Sequence, residues 1–148
     1  MENYVVAYSL KSEKTQILSE QIRDSKIGAD FCRQLFDIDT LELYESMWAV
    51  YLDAKQRVKG FLKISEGGIN CTICDPKKVY MGALACVASA IIITHNHPSG
   101  STQPSSEDKQ LTKKLYTAAK LLDISFVDHV IITDKGYYSF RENGLLDY

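Results

Sequence analysis

The chain has little of what would mark it for nucleic acid, a membrane or export. Its 17 Lys and Arg stand against 19 Asp and Glu, a net charge of −2 over 148 residues. No general basic excess draws it onto phosphate backbones, and Lys113, Lys114 and Lys120 make at most a local basic patch on a solvated face. The longest apolar stretch, Gly82 to Ile93, is broken by Ser89 and falls short of the ~20 residues that span a bilayer. Met1-Glu2-Asn3-Tyr4 has neither the basic start nor the apolar run of a secretory signal. A cytoplasmic protein without membrane association, its thiols kept reduced, is the expectation. Internal repeats, low-complexity stretches and linkers are also missing. The rest is an ordinary globular composition, 45% hydrophobic and 24% charged, at a length that suits one domain.

The four cysteines lack the partners that would make them a metal or redox centre. Cys71-Thr72-Ile73-Cys74 is a C-x-x-C, but a structural zinc site wants a second pair with knuckle spacing, and Cys32 and Cys86 do not supply it. A redox pair wants a helix N-terminus at the first thiol, whereas Asp75-Pro76 starts a helix only after the second. Buried or half-buried free thiols are expected. A zinc nucleobase deaminase is excluded as well. That signature runs H-x-E and then P-C-x-x-C, and here the cysteine pair precedes the histidines, lacks the proline, and no H-x-E exists.

Hydrophobic patterning sets out a mixed α/β order. Tyr4–Leu10 reads as a strand. Asp24-Ser25 caps a helix with Ile27, Phe31 and Leu35 on one face. Met47–Leu52 and Val58–Ile64 form a strand pair about a turn at Asp53–Gln56, and a short strand is expected over Ile69–Ile73. Asp75-Pro76 opens a helix. Ala90–Thr94 is a continuous apolar run, as in a strand buried on both faces. A long helix from Ser105 to Leu122 presents Leu111, Leu115, Ala118, Ala119 and Leu122, followed by strands over Ile124–Thr133 and Tyr137–Phe140. These elements predict one mixed sheet with helices packed against it.

Fourteen residues carry most of the chemistry: His95-Asn96-His97-Pro98, six residues to Pro104, then Ser105-Ser106-Glu107-Asp108. Histidines at i and i+2 of an extended segment project to the same side. Ser105 and Asp108 alone come close to a capping box, with Asp in the place of Glu or Gln, and capping does not prevent the carboxylate from facing a metal. Two nitrogens and one oxygen from a strand end and a helix start make a three-ligand set that leaves a fourth zinc position open, as catalytic sites do. Asn96 and Asn70 are candidates for binding substrate or orienting a ligand and are equally good turn residues. His129, after Asp128 in an apolar strand, reads first as a satisfied core histidine and second as a group behind a ligand.

The pattern H-x-H-P, six residues, S-x-x-D resembles the JAMM motif of MPN-domain metallopeptidases. The longer His95-Asn96-His97-Pro98-Ser99-Gly100 with Pro104-Ser105 and Asp108 is similar to the RadC family. Glu66-Gly67-Gly68-Ile69-Asn70, Asp75-Pro76, Asp128-His129 and Tyr137-Tyr138-Ser139-Phe140 add to the likeness, which covers roughly Leu41 to Leu146. It implies a single-domain layered α-β-α fold with a mixed sheet, an architecture like that of cytidine deaminases, over residues 41–148. Residues 1–40 would be a strand and helix extension packed on that domain. It also implies one zinc per chain on His95, His97 and Asp108, and an upstream glutamate base, for which Glu45 is the best positional match over Glu42 and Glu66. In the chemistry implied, Glu45 moves the proton of the attacking water and Ser105 donates to the oxyanion of a peptide or isopeptide bond in a peptide or protein substrate. Residues 1–40 are too few and too little basic for the helical DNA-binding segment of longer RadC proteins, so nucleic acid stays open as a partner but is not supported by charge. The rival expectation is a non-catalytic or DNA-repair-associated interaction module that keeps the metal-binding fold. The presence of all four motif side chains argues against it.

Overall fold

The computed structural model describes residues 5, 7–67 and 73–148. Its elements are α1 (Ser25–Arg33), β1 (Ser46–Leu52), β2 (Val58–Glu66), α2 (Pro76–Ala85), β3 (Ala90–Asn96), α3 (Ser106–Leu121), β4 (Ser125–Thr133) and β5 (Gly136–Ser139). The strands form one mixed sheet in the order β2-β1-β3-β4-β5. β3 and β4 are parallel, joined by the crossover through α3, and every other neighbouring pair is antiparallel.

Alternation along the strands divides the core into two. Val50, Leu52, Ala90, Ile92, Val130 and Ile132 pack with Phe31 and Cys32 of α1 on one face. Met47, Ala49, Ile91 and Ile93 pack with Val79, Ala83, Leu115 and Ala119 of α2 and α3 on the other. This is the layered α-β-α arrangement with a mixed sheet. β3 is buried at all seven positions, as its unbroken apolar run requires when helices cover both faces. No described helix is long and apolar enough to cross a membrane.

Local chemistry sets the helix ends. Asp24 caps α1 by accepting from Ile27 N, Asp75 caps α2 by accepting from Lys77 N, and Pro76 follows at the first turn. α1 stops at Arg33, short of the expected Leu35, and the Arg33 guanidinium donates to Thr133 O and Gly136 O, which ties this end to the β4–β5 turn. Leu35 still reaches the core from the turn that follows.

Three expectations are corrected or fall outside. Among the described residues of 4–10 none is in a strand, and Val5, Tyr8 and Leu10 are exposed; apolar β-branched sequence does not pair without a neighbouring edge. Leu122 is 41% exposed rather than buried, since the inward stripe of α3 is Asp108, Thr112, Leu115 and Ala119. The expected Ile69–Ile73 strand lies almost wholly outside the described residues, and so do Asn70 and Cys71. Cys32, Cys74 and Cys86 are free thiols. Burial pushes Cys74 up to about 11 and Cys32 up to about 12, the opposite of an activated redox thiol.

α2 lies so close to the sheet that Gly82 has no room for a side chain. A Cβ there would run into the Tyr51 hydroxyl and stand 2.6 and 2.8 Å from its ring carbons, and that hydroxyl donates to Val79 O at 3.0 Å. Alanine favours a helix over glycine by ~1 kcal/mol, but overpacking a close contact costs ~1–3 kcal/mol and here breaks a buried hydrogen bond too. Gly82→Ala is expected to lower unfolding stability by about 2 kcal/mol in urea titration; a stabilised variant would show that α2 can move off the sheet freely.

Candidate metal centre

The β1–β3 register pairs Met47 with His95, so going on by one residue sets Ser46 opposite Asn96. Facing residues of an antiparallel pair share a face. His95 and His97 face Asp108 on the α3 side, Ser46 and Asn96 meet on the α1 side, and Glu45, just before β1, is near enough for its charge to act on His97. α3 starts over the same end of β3. Ser105 is its N-cap, with Oγ accepting from Asp108 N at 3.0 Å while Ser105 N donates to Asp108 Oδ2 at 2.7 Å. The reciprocal box aims the Asp108 carboxylate at the histidines. Asp108 Oδ1 lies 3.2 Å from His95 Nε2, and Oδ2 lies 3.3 Å from His97 Nε2. Capping and facing the histidines are thus achieved by one carboxylate.

Among the described residues, His95, His97 and Asp108 are the one cluster of three His, Cys, Asp or Glu donors placed to hold a metal ion, with donor atoms all within 4.8 Å of one another. Hydrogen bonds behind them assign the imidazole tautomers. Thr112 Oγ1, one turn after Asp108, donates back to Asp108 O at 2.6 Å. Its single proton is then used, so at 2.6 Å it accepts from His129 Nδ1–H. That leaves the His129 Nε2 lone pair to accept from His95 Nδ1–H at 2.8 Å. His95 Nε2 consequently carries a lone pair. His97 Nδ1–H donates to Ser101 O at 2.7 Å, which leaves His97 Nε2 with a lone pair as well.

The two Nε2 atoms are 2.9 Å apart and both face a carboxylate. Three acceptors so close repel one another unless a cation lies among them, either a proton or a metal ion. Donors ~2.0 Å from a tetrahedral zinc ion stand about 3.3 Å apart; the two Nε2 atoms are 2.9 Å apart, each faces its own oxygen of the Asp108 carboxylate at 3.2 and 3.3 Å, and one donor atom from each residue lies within 4.8 Å of the others. The donor set fits such an ion, and its imidazole and carboxylate composition is that of catalytic rather than closed structural zinc sites. Burial works against charge on His97, but the bonds to Asp108 and Ser101 O and the negative charges of Asp108 and Glu45 outweigh it and raise its pKa. For Asp108, burial is likewise outweighed by the two histidines, and its carboxyl is held far below the usual carboxylate range. His129 is lowered by burial first and by His95 second, so it remains a neutral acceptor.

A bulge turns His129 onto this face. The β3–β4 register runs Ile91↔Phe126 and then Ile92↔Asp128, skipping Val127. Phe126 faces the α3 side while Val127 packs towards α1. Without the extra residue, strict alternation would set Asp128 against α3 and His129 against α1. The ring of His129 then stacks on Phe140 at 4.7 Å and 14°.

Of the sequence candidates, the structure brings together His95, His97, Asp108 and Glu45. Glu45 is buried and close enough to act on the charge of His97, whereas Glu42 is exposed and Glu66 is exposed and paired with Lys63 at 3.0 Å. Ser105 is exposed beside Asp108, and its cap uses a lone pair of the hydroxyl. Asn96 is not a substrate-binding or turn residue: its carboxamide is fully engaged inside the protein. Thr112 was absent from the candidates; its signal is the four-residue spacing from Asp108 on one helix face.

The similarity to known proteins follows the same architecture. The model of the RadC-like JAB domain family matches residues 22–145, which take in every helix and strand among the described residues. A UPF0758 protein of Flavobacterium johnsoniae is 42% identical over 102 residues, covering 69% of this chain and 44% of that protein. One of Trichlorobacter lovleyi is 40% identical over 117 residues, covering 76% and 51%, and one of Aquifex aeolicus is 37% identical over 125, covering 84% and 52%. The chain spans about half the length of these curated relatives. With a mixed sheet layered between helices, a His-His-Asp cluster at the β3–α3 junction and a match from Ile22 to Leu145, the chain belongs to the RadC-like JAB domain family.

Proposed function

We propose that this chain is a zinc-dependent hydrolase of amide bonds, peptide or isopeptide, acting in the cytoplasm on a peptide or protein. The observation that supports this most is the convergence of three lone-pair donors whose hydrogen bonds leave no proton among them at neutral charge, with a buried carboxylate alongside. Zinc at such a set supplies Lewis acidity to a carbonyl oxygen and brings the pKa of water down to about 7. Glu45 accepts the proton of the attacking water and returns it to the departing nitrogen, the two halves of general base and general acid work. Ser105 donates its hydroxyl proton to the developing oxyanion, a contribution of ~3 kcal/mol where such donors have been removed. Asp108 and the two histidines keep their lone pairs aimed by the cap, by Ser101 O and by His129.

Metal content and turnover test this separately. About one zinc per chain is expected by native mass spectrometry, lost in His95→Ala and His97→Ala and kept in Glu45→Gln, since an open catalytic site has three protein ligands. Cleavage of a peptide library is expected to fall by ~10²–10⁴-fold in Glu45→Gln. Zinc-free protein from a zinc-replete preparation would sink the reading as a whole. Undiminished cleavage in Glu45→Gln would remove only the base.

A further inference from the structure

Asn96 stands between the two candidate ligands in sequence, yet its side chain points to the opposite face of the sheet, 1% exposed. Its carboxamide makes four hydrogen bonds, the full capacity of one oxygen and two N–H groups. Nδ2 donates to Leu41 O at 2.7 Å and to Tyr44 O at 2.9 Å. Oδ1 accepts from Ser46 N at 2.8 Å and Ser46 Oγ at 3.3 Å. The Tyr44 carbonyl and the Ser46 amide belong to the two peptide groups on either side of Glu45. One side chain therefore grips the backbone before and after that residue, where the chain leaves a run of turns and regular pairing is only beginning. Gly67 N, donating to Glu45 O at 3.0 Å, adds a hold from the β2 end.

We infer that Asn96 is a positioning residue that couples the backbone of Glu45 to the strand end bearing His95 and His97. The inference rests on the proposed reading in which Glu45 faces the metal. A carboxamide on the residue between the two histidines fixes the offset between base and ligands without touching either. Orientation of the ligands themselves comes from elsewhere, His129 for His95, Ser101 O for His97 and the helix cap for Asp108. Loss of Asn96 should accordingly loosen Glu45 and spare the metal. An alternative side chain at this position has to donate to Leu41 O and Tyr44 O and accept from Ser46 N together, which a hydroxyl cannot do.

The visible spectrum of the cobalt(II)-substituted full chain tests this without a substrate. Asn96→Ala is expected to keep about one cobalt per chain and to change the band intensities in the same direction as Glu45→Gln, with the double variant no further from wild type than Glu45→Gln alone, the non-additivity of two residues acting through one contact. Asn96→Ser, which keeps one hydroxyl and leaves a smaller cavity, gives a lesser change and serves if the alanine variant does not fold. In the same proteins, exchange of the Ser46 and Gly67 amides is expected to quicken about tenfold or more while those of Ile91–Ile93 stay protected. A wild-type spectrum in both Asn96 variants, beside a shifted Glu45→Gln, overturns the inference alone. Additive changes, or loss of the metal in a folded Asn96 variant, overturn it as well. A silent Glu45→Gln would instead overturn the reading of Glu45 on which it stands.

Discussion

Zinc added to the metal-free protein is expected to raise its melting temperature by about 10 °C at pH 8, and by less at pH 6. A ligand present at a thousand times its dissociation constant stabilises the folded state by ~4 kcal/mol. Each kcal/mol is worth ~2–4 °C in a domain of this size. The pH dependence comes from the cation that the cluster holds in the absence of metal. The pKa of His97 is raised above its ordinary value by Asp108, Ser101 O and Glu45 acting against burial. A proton on His97 thus satisfies the facing lone pairs at pH 6. Its stabilising contribution is complete below the unfolded value of ~6.5 and is lost as pH rises through the higher folded value. Asp108, held low by the two histidines against burial, contributes above its unfolded value of ~3.9 and loses that contribution only as pH falls through the lower folded one. Zinc has to displace the His97 proton, so its affinity increases with pH. The cluster should make the metal-free protein less stable from pH 6 to pH 8 and the zinc-loaded protein gain relative to it. Scanning calorimetry with chelator and with zinc at the two pH values measures both trends. An equal zinc shift at pH 6 and pH 8 would mean that no proton is displaced, and no shift at all that the three donors do not bind the ion.

Much of this centre was legible in the chain because its parts sit where local rules are strong. The apolar run Ala90–Thr94 defines a buried strand, the i, i+2 spacing puts both histidines on one face, and Ser105 with Asp108 makes a helix start. Each follows from residues within a dozen positions of one another. What was not legible depends on pairing between distant segments. Glu45 is distinguished from Glu42 and Glu66 only once the pairing of β1 with β3 brings the start of β1 beside the histidines, where Glu45 is buried and acts on the charge of His97. Asn96 resembles a turn residue until the turns at 37–44 fold over it. The side of the sheet on which His129 lies is decided by an extra residue, Val127, that no periodicity announces. α3 is informative in the same way. Its inward stripe begins with Asp108 and Thr112, two polar residues that an amphipathic reading assigns to solvent, and they are buried because each has a partner in the centre.

That buried partner chain leads to the other large effect. His129→Leu is expected to weaken zinc binding ~10–100-fold, the range found when groups behind a metal-bound imidazole are removed. Leucine leaves His95 Nδ1–H without its acceptor at a position where both rings are fully buried. The ring then gains by rotating or by moving its proton to Nε2, and either change takes the lone pair away from Asp108 and His97. His129→Gln retains a carbonyl for His95 and an amide for Thr112 and is expected to recover most of the affinity. Thr112→Val removes the acceptor of His129 Nδ1–H while keeping shape and should lie between the two, with the Thr112→Val/His129→Leu pair no weaker than His129→Leu alone because both act through one line of bonds. Competition with a chromophoric chelator gives the dissociation constants, and melting of the metal-free variants separates them from packing. The loss of stacking on Phe140 lowers the melting temperature of His129→Leu with or without metal, so it cannot mimic a change in the zinc-induced shift. A variant that melts lower yet binds zinc as tightly as wild type would make His129 a core histidine and nothing more. Weaker binding in His129→Leu with recovery in His129→Gln would show that His95 is a ligand because a residue on another strand, turned inward by one bulge, holds its proton on the far nitrogen.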